Sequence, residues 1–112
     1  PYSYFVAHRL AQLERAFDVV CDVRIVYPIA VRDPDFFQRG DPLWETYFMK
    51  DIYRTAAFLG LPFRWPRPDP VVRDMKTRLD PREQPYISRL SRLGVAACER
   101  GRGLPFLDEV SR

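Results

Sequence analysis

This chain has no asparagine, a single histidine, and only two cysteines and two lysines. With one histidine, His8, no histidine-based triad can be assembled from distinct partners. Cys21 and Cys98 lie far apart and form no Cys-x-x-Cys pair, which excludes a structural zinc site of ordinary spacing. Both cysteines read as small apolar residues in a reducing, cytoplasmic setting. His8 reads as a surface or packing residue on a helix. Glycine is scarce, and Gly101 and Gly103 follow a helix instead of opening one, so no phosphate-cradling loop is present. No apolar run approaches the roughly 20 residues that a membrane helix requires.

The lysine shortage shapes the charge. The net charge is +3, but apart from Lys50 and Lys76 the Lys/Arg set is all arginine, spread along the chain among acids. Such a pattern makes a mixed, solvated surface with no tract that would follow a phosphate backbone. Nucleic acid and membrane are therefore not expected partners. What is abundant is apolar and aromatic: 46% and 14% of 112 residues, enough for a packed core in one modest domain.

Residues 2–17 predict an amphipathic helix, with Phe5, Val6, Leu10, Leu13 and Phe17 on its apolar face. "VVCDVRIVYPIAV" changes period: Cys21, Val23, Ile25 and Tyr27 alternate with Asp22, Arg24 and Val26, which predicts a strand ended by Pro28. "RDPDFFQRGDP" predicts a loop, in which Asp33 and Asp35 flank Pro34 as turn formers. Asp41 and Pro42 are the N-cap and first position of a helix over residues 43–59, with Gly60 as its stop. Asp51 and Arg54 on that helix are spaced for a local ion pair. Four prolines hold "LPFRWPRPDP" extended. Asp80, Pro81 and Glu83 predict the start of another helix running to about residue 100, and a further helix starts at Pro105.

One strand among three or more helices leaves that strand's backbone groups unpaired. The expectation is a fragment of an α/β domain, with a neighbouring strand before Pro1 and more sheet after Arg112. The opening "PYSYFVAHRL" places Pro1 at the head of a helix, where free N–H groups and the helix dipole favour a thiolate or oxyanion.

"PYSYFVAHRL" resembles the segment after the active-site residue in the thioredoxin-like family of DsbA, kappa-class glutathione transferases and 2-hydroxychromene-2-carboxylate isomerases. "PLWETYFMKDIYRTAAFLGLPFRWP", with Tyr47, Asp51, Arg54 and "GLPF", is similar to the helical insertion of the isomerase branch. "EQPYISRLSRLGVAACERGRGLPFLDEVSR" looks like the insertion's later helices.

The resemblance implies an incomplete α/β, thioredoxin-like fold of DsbA type. Residues 1–28 would supply its first helix and a strand, and residues 29–112 a loop and helical insertion. It also implies a glutathione-dependent isomerase that takes a small-molecule substrate and forms a homodimer. Pro1, Tyr2 and Ser3 would line the glutathione site, and Trp44 and Tyr47 the substrate pocket. The nucleophile-position residue would precede Pro1, so none of the catalytic residues falls in the chain, and no metal is implied.

Two alternatives stay open. A single-thiol oxidoreductase of DsbA type would carry Ser3 where a resolving cysteine belongs. A non-catalytic binding module is suggested by Trp44 standing where the isomerases carry a glutathione-contacting lysine, and by the missing asparagine that the resemblance places after the proline-rich stretch.

Overall fold

The computed structural model describes residues 2–74, 76–77 and 81–111. Pro1 and Asp80, expected at a glutathione site and at a helix cap, lie outside them. Six helices are present: α1 (Tyr2–Ala16), α2 (Ile29–Arg32), α3 (Phe36–Arg39), α4 (Pro42–Leu59), α5 (Pro85–Glu99) and α6 (Gly103–Ser111). Among the described residues there is no strand.

The expected α/β, thioredoxin-like architecture is therefore corrected to a helical one. Residues 19–28, read as a strand, run without helix or ladder. Their period of two is nonetheless physical. Cys21, Val23 and Ile25 are half-buried, while Asp22, Arg24 and Val26 are exposed; Tyr27, expected on the inward row, is exposed as well and ends the alternation. The inward row rests on α5 and α6. A Cβ added to Gly103 would meet Val23 Cβ at 2.9 Å, and one added to Gly94 would meet Ile25 Cγ1 at 2.9 Å. Alternation records one buried side, which a helical surface supplies as well as a sheet does. Backbone pairing is a separate condition, and it is not met.

The caps of α4 form as the sequence implies. Asp41 accepts a hydrogen bond from the Leu43 N–H at 2.8 Å, Pro42 opens the helix, and Gly60 closes it at φ 65°. The start expected at Asp80–Pro81 is displaced, and α5 opens on Pro85. The displacing residue is Gln84. Its buried amide accepts from the Val72 N–H and donates to the carbonyls of Val72 and Pro81, at 2.8–3.0 Å. The loop expected over residues 32–42 contains α3 and the end of α2, each helix one turn long.

The larger core lies between α1 and α4. Tyr4, Phe5, Ile52 and Ala56 are buried there, covered by Phe48, Leu59, Leu61, Phe63 and Trp65. Ile52 is 0% exposed. The proline-rich stretch closes this core: Tyr4 donates to the Pro62 carbonyl at 2.9 Å, and Phe63 packs on Phe5 and Tyr53. The buried side of α1 is Tyr4, Phe5 and Ala7, not the expected Val6, Leu13 and Phe17, which are exposed. α6 packs against both α1 and α5.

Candidate functional site

Two features meet on the outer face of α4. The first is a polar cluster at the start of α1. The Tyr2 hydroxyl donates to Asp51 Oδ2, and the Tyr47 hydroxyl donates to Asp51 Oδ1 at 3.4 Å. Tyr47 and Asp51 are one helical turn apart, which places them side by side. The hydrogen bond to Asp51 comes first among the causes that push the Tyr2 phenol up to about 12, with burial and the Asp51 charge adding to it. Tyr2 is thereby held as a neutral donor and is a poor general base. The Tyr2 ring also packs edge-on against Phe5 and Phe48, at centroid distances of 6.2 and 5.7 Å.

The second feature is an aromatic groove of about 370 Å³ between α3 and the start of α4, lined by Phe36, Phe37, Arg39, Gly40, Trp44 and Glu45. The Trp44 ring stacks on Phe48 at 4.9 Å and meets Phe36 edge-on at 6.0 Å. Offset stacks and edge contacts are the preferred aromatic geometries, so this wall holds its shape without outside help. Arg73 lies over the Phe37 ring at 3.7 Å and reaches Glu45 at 4.0 Å. Arg39 pairs with Asp33 at the rim. The groove is thus shallow and open, apolar on its walls, with both charges at its mouth.

The residues expected at the site separate. Tyr2 and Tyr47 converge on Asp51, and Trp44 lines the groove. Tyr47 is absent from the groove lining. Ser3 is exposed in the first turn of α1. Asp51 serves two phenols, and among the described residues no ion pair joins it to Arg54. Phe36, Phe37 and Arg39 were not singled out from the sequence. Their signal is "DFFQRG", two adjacent phenylalanines in an otherwise polar, proline-flanked stretch. Such a pair demands cover, which Trp44 and Arg73 supply.

The cysteines line neither feature. The thiol of Cys21 is pushed up, first by burial and then by the neighbouring Glu14 carboxylate, which accepts the Cys21 backbone N–H at 2.8 Å. A raised thiol is a weaker nucleophile at neutral pH. Cys98 is half-buried, and its Sγ lies close beside Gly103. Among the described residues, no group of three His, Cys, Asp or Glu side chains is placed to hold a metal ion. None of the described helices is long and apolar enough to cross a membrane.

The first turn of α1 carries backbone N–H groups without helical partners beside the exposed Ser3. The Tyr2 hydroxyl is committed to Asp51, so that residue offers a ring wall and not a donor. No protein-family model, curated protein or solved structure matches this chain.

Proposed function

We propose that this chain supplies the substrate-binding helices of a glutathione-dependent isomerase acting on small aromatic carboxylates of the 2-hydroxychromene-2-carboxylate type. The observation that carries the reading is the aromatic groove, with the stacked Trp44 for a wall and Arg39 at its mouth. A planar ring rests against the surface that Phe36, Phe37 and Trp44 form together, where each aromatic contact adds about 0.5–1.5 kcal/mol to the area buried. A carboxylate on that ring reaches Arg39, whose planar fork has donors to spare beyond those given to Asp33. Glutathione, when bound, supplies a thiolate that adds reversibly to an unsaturated bond and lets that bond rotate. Ser3 and the first turn of α1 would hold its sulfur. Asp51 fixes the Tyr2 ring beside that turn, and Tyr2 and Phe48 link the two sites through one aromatic row.

Calorimetric titration with an aromatic carboxylate such as salicylate, and separately with glutathione, tests both halves. Trp44→Ala and Arg39→Gln are each expected to weaken the aromatic acid by about tenfold, one lost contact of about 1.4 kcal/mol. They leave glutathione binding unchanged. An aromatic acid that binds while glutathione does not would replace the isomerase with a non-catalytic binding module. An aromatic acid whose affinity is indifferent to both substitutions would overturn the site.

A further inference from the structure

The segment 20–26, Val-Cys-Asp-Val-Arg-Ile-Val, has an outward row that neither the helical packing nor the groove uses. Its inward side chains Val23 and Ile25 rest over Gly103 and Gly94. Its outward side chains are Val20, Asp22, Arg24 and Val26. Val20 and Val26 are 92% and 70% exposed. Between them, Asp22 and Arg24 form an ion pair at 2.8 Å with side chains 71% and 84% exposed. Among the described residues, none bonds to the backbone N–H or C=O groups of residues 22–27. An extended, apolar segment with open backbone groups is a template for another strand.

The order of the side chains selects the partner. The segment is antisymmetric in charge about Val23. Turned by a two-fold axis through Val23, it sets Asp22 of one copy opposite Arg24 of the other, twice over. The same register sets Val20 opposite Val26, Cys21 opposite Ile25, and Val23 opposite itself. Residues directly opposite in an antiparallel pair share a face, so every one of these matches falls on a consistent side. A two-fold interface is self-complementary by construction, and this segment meets that condition in shape and in charge.

We infer that two copies of this chain associate by antiparallel pairing of residues 20–26, centred on Val23, with reciprocal Asp22–Arg24 ion pairs across the axis. The intrachain Asp22–Arg24 pair of the single copy exchanges for two interchain pairs, and Val20 and Val26 cover each other. A single-sign charge at this edge would guard it against pairing, whereas an acid and a base two residues apart are matched reciprocally in the antiparallel, Val23-centred register.

Sedimentation equilibrium on the full chain tests this with two single variants and their mixture. Asp22→Arg gives each copy two like charges that face two more, and Arg24→Asp does the same with opposite sign. Each single variant is expected to dissociate at least tenfold more readily than the wild-type dimer. Mixed in equal amounts, the two should form a heterodimer, because two arginines then face two aspartates. The double variant D22R/R24D keeps the antisymmetry and should dimerise like the wild type, which also shows that altered charge at these exposed positions does not unfold the chain. A monomeric wild type at high micromolar concentration overturns the proposal. So does a dimer indifferent to the single changes, or single variants that fail to restore each other.

Discussion

The Tyr2–Asp51 hydrogen bond joins the first turn of α1 to the middle of α4, and its strength depends on which of the two groups is ionised. The phenol is pushed up to about 12, from 10 in the unfolded chain, chiefly because it donates to Asp51. A group raised on folding contributes stability that is complete below pH 10 and is lost as pH rises through about 12. The contribution is small, because Tyr2 is exposed enough for water to screen it; about 0.5 kcal/mol at neutral pH suits a solvent-facing bond. An ultraviolet titration of tyrosinate should therefore show one late component, displaced upward from 10. Tyr2→Phe should delete that component, and Asp51→Asn should move it down toward 10. A late component that survives Tyr2→Phe would assign the shift to another tyrosine. Residue identity alone could not show this pairing. Asp51 is spaced in sequence for Arg54, and only the approach of α1, 49 positions away, brings it the better partner.

Where a helix boundary is written in neighbouring residues, it was legible. Asp41, Pro42 and Gly60 carry their own chemistry, and α4 begins and ends on them. Where a boundary depends on a distant partner, it was not. "DPRE" has the form of a capping box, yet Gln84 is drawn into three hydrogen bonds with the connection at Val72 and Pro81, and the helix waits for Pro85. Gly94 is a like case. Read alone, it is a weak point in a helix costing about 1 kcal/mol against alanine. In the fold, an added Cβ would come within 2.8 Å of the Phe106 ring and 2.9 Å of Ile25, so the glycine makes room for α6 and the extended segment. The Gln84 clasp gives the element-scale prediction. Gln84→Leu keeps the volume and removes the partners of the Val72 N–H and C=O. It should cost about 2–3 kcal/mol, as for buried polar groups left unsatisfied. Urea denaturation measures this directly. A loss under about 0.5 kcal/mol would mean that water replaces the amide and that the clasp does not hold the connection.

At the scale of the molecule, the period-two pattern of residues 19–28 was legible and its partner was not. The sequence specifies an inward row, but whether strands or helices receive it is decided by what packs beneath, here α5 and α6. The groove was half legible for the same reason: Trp44 stands out, while Phe36, Phe37 and Arg39 acquire meaning only when α3 folds over it. The fold has two packed regions, the α1–α4 core and the α5–α6 pair, with α6 also packed against α1. If α1 couples them, damage in one must reach the other. Ile52 is wholly buried in the first region, and Ile52→Ala should cost about 2–4 kcal/mol by the cavity it leaves. Near-UV circular dichroism follows the first region, since Trp44 packs on Phe48, which covers that core, and Trp65 packs there directly. The reaction rate of the Cys98 thiol follows the second. Coincident urea transitions are expected from the two probes, and Ile52→Ala should lower both midpoints together, the mark of a single cooperative unit. A Cys98 transition that stays in place while the near-UV signal moves would show that the α1–α6 contact is too weak to join them. The extended segment would then ride with α5 and α6 as an independent unit.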